Sequence, residues 1–194
     1  MAFQAYLSQH YAIATSNGGP ITTITDDTGP LKTFGANPSI NNAGRVAFVA
    51  GIGDIDSGGY GIYSGEGGLL TTIADLSGPY NRFDLNFGNP SINAAGTVAF
   101  AAGLDAGGGG IFLGDGAATS KIIGTGDALF GSTITGGSIS TTGLNDFGQV
   151  AFYYQLANGT TGIAIATPVP EPSASLLLAL FFGLSLARRT KRKG

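Results

Sequence analysis

The sequence predicts an all-β fold: a repeat protein of four-stranded antiparallel units set in an open arc, followed by a C-terminal hydrophobic helix. Three observations carry this. Glycine supplies 34 of 194 residues, more than twice the usual ~7%. Each glycine costs a helix interior about 1 kcal/mol, so this density belongs in the turns of short strands. Apolar residues nevertheless reach 43% and are clustered, which leaves material for a core. Finally, one sequence motif recurs at a fixed spacing, the mark of a repeat architecture.

Pro38-Ser39-Ile40-Asn41-Asn42-Ala43-Gly44-Arg45-Val46-Ala47-Phe48 returns as Pro90-Ser91-Ile92-Asn93-Ala94-Ala95-Gly96-Thr97-Val98-Ala99-Phe100. A diverged copy reads Gly143-Leu144-Asn145-Asp146-Phe147-Gly148-Gln149-Val150-Ala151-Phe152. Asn41, Asn93 and Asn145, with Gly44, Gly96 and Gly148, are spaced by 52 residues. Downstream, Gly61-Ile62-Tyr63, Gly110-Ile111-Phe112 and Gly162-Ile163-Ala164 align, and Ala12-Ile13-Ala14 matches them upstream. Thr23-Ile24, Thr72-Ile73 and Lys121-Ile122 follow the first three of those isoleucines, eleven residues on. Fixed cores joined by loops of varying length suit a stack of β units.

Within one unit, Asn41 to Gly44 is expected to be a turn. Asparagine favours the first position through its side-chain hydrogen bond, and glycine takes the position that needs a positive φ. Val46 and Phe48 then point to one face of a strand and Ala47 to the other. A second strand is expected around Ile62 and Tyr63. The turn Gly65 to Gly68 leads to a third strand, Leu69 to Ala74, and a weaker fourth segment lies near Phe83 to Phe87. Four short strands in about fifty residues match the size of a β-propeller blade, and the body resembles β-propeller-like repeat proteins. A β-sandwich or β-solenoid is the competing architecture.

The repeat also bears on the N-terminus. Ala2-Phe3 aligns with Ala47-Phe48, so the chain starts inside a strand, without the turn motif that precedes the other copies. The expectation is a longer protein, with further sequence and a secretion signal upstream of Met1. The body is expected to span residues 1–166.

Beyond it, residues 167–173 form a linker in which three prolines within five residues impose an extended chain. The charge-free apolar run 174–187 follows, and the basic tail 188–194 holds Arg188, Arg189, Lys191, Arg192 and Lys193. Fourteen residues make a helix of only ~21 Å, short of a ~30 Å hydrocarbon core. The basic cap behind a proline linker favours a membrane segment over a buried helix, and the positive-inside rule keeps that cap cytoplasmic. Val169-Pro170-Glu171-Pro172-Ser173, the apolar run and the terminal cluster, in that order, closely resemble the PEP-CTERM sorting signal. The resemblance implies export, recognition of Pro-Glu-Pro by an exosortase-type processing enzyme, and a link to extracellular polysaccharide. The implied location is the membrane at first, then the cell envelope or extracellular matrix.

Composition narrows the chemistry. Of 9 basic groups five lie in the tail, so residues 1–187 carry 4 basic against 12 acidic groups, a balance of −8. Nucleic acid is therefore not an expected partner, because phosphate contacts need a basic surface. With no cysteine there is no disulfide framework, thiolate site or lipoprotein anchor. His10 is the only histidine, placed in the first loop as a surface residue, and no Gly-x-Ser-x-Gly elbow occurs. Asp54-Ile55-Asp56-Ser57-Gly58 alternates carboxylates as a Ca²⁺ loop begins. It lacks the distant bidentate glutamate, so an acidic turn is the stronger reading. Gly107-Gly108-Gly109-Gly110 has the composition of a phosphate loop without its Lys-Ser/Thr and reads as a hairpin turn. No cofactor is expected. The favoured function is a non-enzymatic surface or matrix protein. A fragment of a propeller enzyme acting on polysaccharide is the alternative.

Overall fold

The computed structural model describes residues 1–7, 9–53, 59–83 and 89–167. Among the described residues every regular element is a strand and every strand pairing is antiparallel. The first sheet comprises β1 (Ala2–Leu7), β2 (His10–Thr15) and β3 (Thr22–Asp26). The second holds β4 (Leu31–Phe34), β5 (Ser39–Ile40), β6 (Val46–Ile52), β7 (Tyr60–Gly65) and β8 (Thr71–Ala74). The third holds β9 (Tyr80–Arg82), β10 (Ser91–Ile92), β11 (Val98–Leu104), β12 (Gly109–Gly114) and β13 (Thr119–Gly124). The fourth holds β14 (Ala128–Leu129), β15 (Ser132–Leu144), β16 (Val150–Leu156) and β17 (Thr161–Ala166).

The sequence alignment of the repeats is also a structural register. Phe3 pairs with Ala14, Phe48 with Tyr63, Phe100 with Phe112 and Phe152 with Ala164. On the far side Ala14 pairs with Thr23, Tyr63 with Thr72 and Phe112 with Lys121. In all three places the register slips by one residue. The ladder passes from Thr23 to Thr25 opposite Ala14 and Ile13, which leaves Ile24 as the extra residue of a β-bulge. Ile73 and Ile122 occupy the same place in the next two sheets. The recurrent isoleucine therefore marks a conserved bend in the ladder, which increases local twist.

Two boundaries differ from the sequence expectation. The third strand begins at Thr71, and Leu69 is 99% exposed. The fourth segment was expected at Phe83 to Phe87, as the last strand of its own unit. Of that range only Phe83 is described, outside any strand; the strand just before it, Tyr80–Arg82, pairs with β11 and so opens the following sheet. Residues 84–88 lie outside the described residues. The short β4/β5 and β9/β10 pairs and the long β15 are thus equivalent first strands, each lying beside the central strand β6, β11 or β16.

Stacking follows from the alternation Val-Ala-Phe in those central strands. Val46, Phe48 and Ala50 face the first sheet and pack with Ile13 and Ile24. Ala47 and Val49, on the opposite face, join Ile62 beneath Val98 and Phe100 of the third sheet. Ala99 and Ile111 lie in turn under Val150 and Phe152 of the fourth. Each of these central strands turns its Val and Phe backwards and the alanine between them forwards, beside the forward isoleucine of its neighbour, so bulky residues fill the room alanine leaves.

The forward face of the fourth sheet has no such cover among the described residues. Ile13, Ile62 and Ile111 are 0%, 0% and 2% exposed, whereas Ile163, at the equivalent position, is 69% exposed. Ile62→Ala is therefore expected to cost about 2–5 kcal/mol and Ile163→Ala at most about 0.5 kcal/mol. Urea unfolding midpoints of the two variants test the difference.

Candidate functional site

The repeated motif residues form a seam along which successive sheets are bonded. At each turn the glycine takes a positive φ: +91° at Gly44, +85° at Gly96 and +76° at Gly148. The Gly44 amide donates to the Asn41 carbonyl (3.1 Å) and the Asn41 amide to the Arg45 carbonyl (3.0 Å), with the same pair of bonds at Asn93 and Asn145. This is a three-residue hairpin loop, a type I turn closed by a left-handed residue. The asparagine Oδ1 braces it, accepting from the Ala43 and Arg45 amides in the first copy and from Phe147 and Gln149 in the third.

Sequence reasoning missed the other end of that side chain. Asn41 Nδ2 donates to the Asn93 carbonyl (3.0 Å), and Asn93 Nδ2 reaches the Asn145 carbonyl (3.4 Å). A serine ladder runs beside it. Ser39 Oγ accepts from the Ile92 amide and donates to the Thr141 carbonyl, and Ser91 Oγ accepts from the Leu144 amide. Ser39, Ser91 and Asn93 are buried, so these bonds also satisfy polar groups that water does not reach. The signal was the joint recurrence of Ser and Asn two residues apart; a turn alone explains only the asparagine. At the last copy Asn145 Nδ2 turns back onto Gln149 Oε1 (2.8 Å).

A cavity of ≈600 Å³ lies between the third and fourth sheets. Strand β12 and the β12-facing part of β15 form its walls, with Ile111 and Phe152 at its floor and Arg82, Thr125 and Thr135 exposed at its rim. Gly108, Gly109 and Gly110 of the glycine run belong to this wall. The run also makes the expected hairpin, with Gly107 donating to the Leu104 carbonyl (2.9 Å) and Leu104 to the Gly108 carbonyl (3.1 Å).

His10 opens β2, whereas the sequence had placed it in a loop. Its Nδ1 lies 2.6 Å from Asp27 Oδ1, at the surface. The Tyr11 amide first, and then the His10 ring, hold the Asp27 carboxyl below its ordinary 3.8. Lys121 Nζ, 2.8 Å from Asp127, does the same there, helped by the Gly124 amide. Among the described residues no three histidine or carboxylate groups gather as a metal site requires. Asp54 and Asp56 lie outside the described residues. So do Val169, Pro170, Glu171, Pro172 and Ser173, the run 174–187, and Arg188, Arg189, Lys191, Arg192 and Lys193. No helix of the described residues is long and apolar enough to cross a membrane.

Residues 12–140, and again 130–176, match a family described as a family of unknown function, DUF7453. No curated protein matches the chain, and no solved structure does.

Asn93→Ala is expected to cost about 1–2 kcal/mol, since it removes a buried side chain that braces its own turn at Thr97 and bonds the Asn145 carbonyl. Asn145→Ala, whose bonds are exposed, should cost less than half as much by the same denaturant titration. The depressed carboxyls at Asp27 and Asp127 favour the ionised form in the folded state. Their contribution is complete above the unfolded pKa, ~3.9, and disappears as pH falls through the lower folded values. Thermal midpoints should be level above pH ~5 and fall below pH ~4, less steeply in Asp127→Asn.

Proposed function

The chain belongs to the DUF7453 family, and we propose that it is an exported surface or extracellular-matrix protein whose stacked sheets serve a structural or binding role. The observation that carries this is the order of the C-terminal elements: Pro170-Glu171-Pro172, the apolar run 174–187, then five basic residues in the last seven. An uncharged run between a proline spacer and a cationic end partitions into a bilayer with the cations inside, and residues before Pro168 lie on the other side. The run is short for a permanent span, which suits a temporary hold while an exosortase-type enzyme reads Glu171 and its flanking prolines.

The body suits life outside the cytosol. It has no cysteine to protect, and buried Ser and Asn bonds tie the units together without a disulfide. In architecture we read an open, propeller-like arc. Each complete unit is an antiparallel meander, successive units stack face to face, and the inner strands converge so closely that Ser39 of the second sheet bonds Thr141 of the fourth. The acidic body favours a neutral or carbohydrate partner over nucleic acid. A fragment of a propeller enzyme acting on polysaccharide is the second reading, favoured by the cavity between the third and fourth sheets.

Mass spectrometry of the surface form is expected to find a C-terminus near Pro172, and Glu171→Ala should leave the protein unprocessed in the membrane. An intact Lys193-Gly194 end on the surface form would contradict the processing step. A reporter placed ahead of Thr167 that stays in the cytosol despite a functional export leader would contradict export.

A further inference from the structure

We infer that the cavity between the third and fourth sheets binds a pyranose unit of a polysaccharide, an assignment that rests on the extracellular reading above. The cavity lies at the junction where the repeat register departs from the other two. Ala50, Ala102 and Tyr154 are equivalent positions of the three central strands. Opposite Ala50 the inner strand supplies Phe34, and beside Ala102 it supplies Phe83, which follows the Gly103 partner Arg82. Opposite Tyr154 it supplies Gly137. The neighbouring strand likewise gives Tyr63 and Phe112 at the first two junctions but Ala164 at the third.

Tyr154 does not refill this space. Its ring folds over its pairing partner Gly162, where a Cβ would come within 2.7 Å of Oη. Nor is Gly137 open to a side chain, since a Cβ there would stand 2.9 Å from the Tyr153 carbonyl. The backbone itself thus keeps the junction one ring short. The resulting ≈600 Å³ falls within the ~300–1,000 Å³ of small-molecule sites.

The lining is matched to a sugar ring. Gly109, Gly110 and Gly136 make walls whose surface is backbone and Cα, with no protruding side chain, and Ile111 and Phe152 lie buried behind them. A pyranose has a C–H face that packs on such a surface and hydroxyls at its edge. Thr125 and Thr135 give their hydroxyl protons to the Gly109 and Gln155 carbonyls, so their oxygens face such hydroxyls as acceptors, and Ser138 adds a third hydroxyl to the lining. No carboxylate is among the described lining residues, which sets a sugar ahead of a cation or a basic peptide. The exposed rim leaves room for the polymer to continue on either side.

The test applies the full chain to an array of neutral and acidic pyranosyl oligosaccharides, then titrates the tightest of them calorimetrically. Ala101→Phe and Ile123→Phe each place a ring in the cavity from the third-sheet wall. Each is expected to weaken binding about ten-fold or more, with an unfolding midpoint unchanged or raised. In the wild-type chain the sugar should slow amide exchange in β12 and β15, a readout that does not depend on either variant folding. Undiminished binding by a folded variant, protection confined to other strands, or no oligosaccharide bound at millimolar concentration would each overturn the site. Correctly processed surface protein that binds no sugar overturns this inference alone. A chain retained in the cytosol overturns the reading beneath it.

Discussion

The structure depends on one packing relation: a face of valine and phenylalanine laid on a face of alanine. Each central strand carries both, on alternate residues, so each sheet is at once the cover of the sheet before it and the base of the sheet after it. Phe48 and Phe100 are fully buried in this way, as are Ala47 and Ala99. Burying a phenylalanine contributes about 1.5–3 kcal/mol, and the gain recurs at every junction. Stability in such a stack is shared between neighbours, and a unit on its own leaves an apolar face in water.

Hydrophobic stacking by itself would let adjacent sheets slide. The asparagine and serine ladders oppose that, because their bonds are directional and link positions one repeat apart. Buried hydroxyl and amide groups are costly when unpaired, so a slip of register is penalised beyond the loss of the bonds themselves. The same asparagine shapes its own turn with Oδ1 and holds the next unit with Nδ2. Local turn chemistry and long-range order therefore reside in one side chain. The ladder ends at Asn145, and beyond it the forward face with Ile163 and Ile165 is exposed among the described residues.

The three junctions also differ in what they enclose. Aromatic rings crowd the second, where Tyr80 meets Phe83, Phe100 and Phe112 at centroid distances of 5.4, 5.8 and 5.1 Å. At the third, Gly137 and Ala164 stand where the second has Phe83 and Phe112, and a cavity lies beside them. A repeat protein can acquire a site in this manner at little cost, since one junction is relaxed while its neighbours hold the stack together. Such a site lies between units and is invisible in any single repeat.

Much of the fold could be read before any coordinates. The Asn-to-Gly turns, the Val-Ala-Phe strands and the Gly-Ile-Tyr strands are local patterns of period two between φ-positive glycines, and local patterns are written in consecutive residues. The sequence alone also carries the sorting-signal resemblance and the acidic body. Tertiary structure decided what depends on distant partners. It assigned Tyr80–Arg82 to the following sheet, because strand membership is set by which edge is free. It made a strand of Ser132–Leu144, whose Ser, Thr and Gly residues show little apolar alternation. It turned Asn41 and Asn93 outward to the next unit and left a cavity beside Gly137, since both depend on residues of different repeats meeting in space.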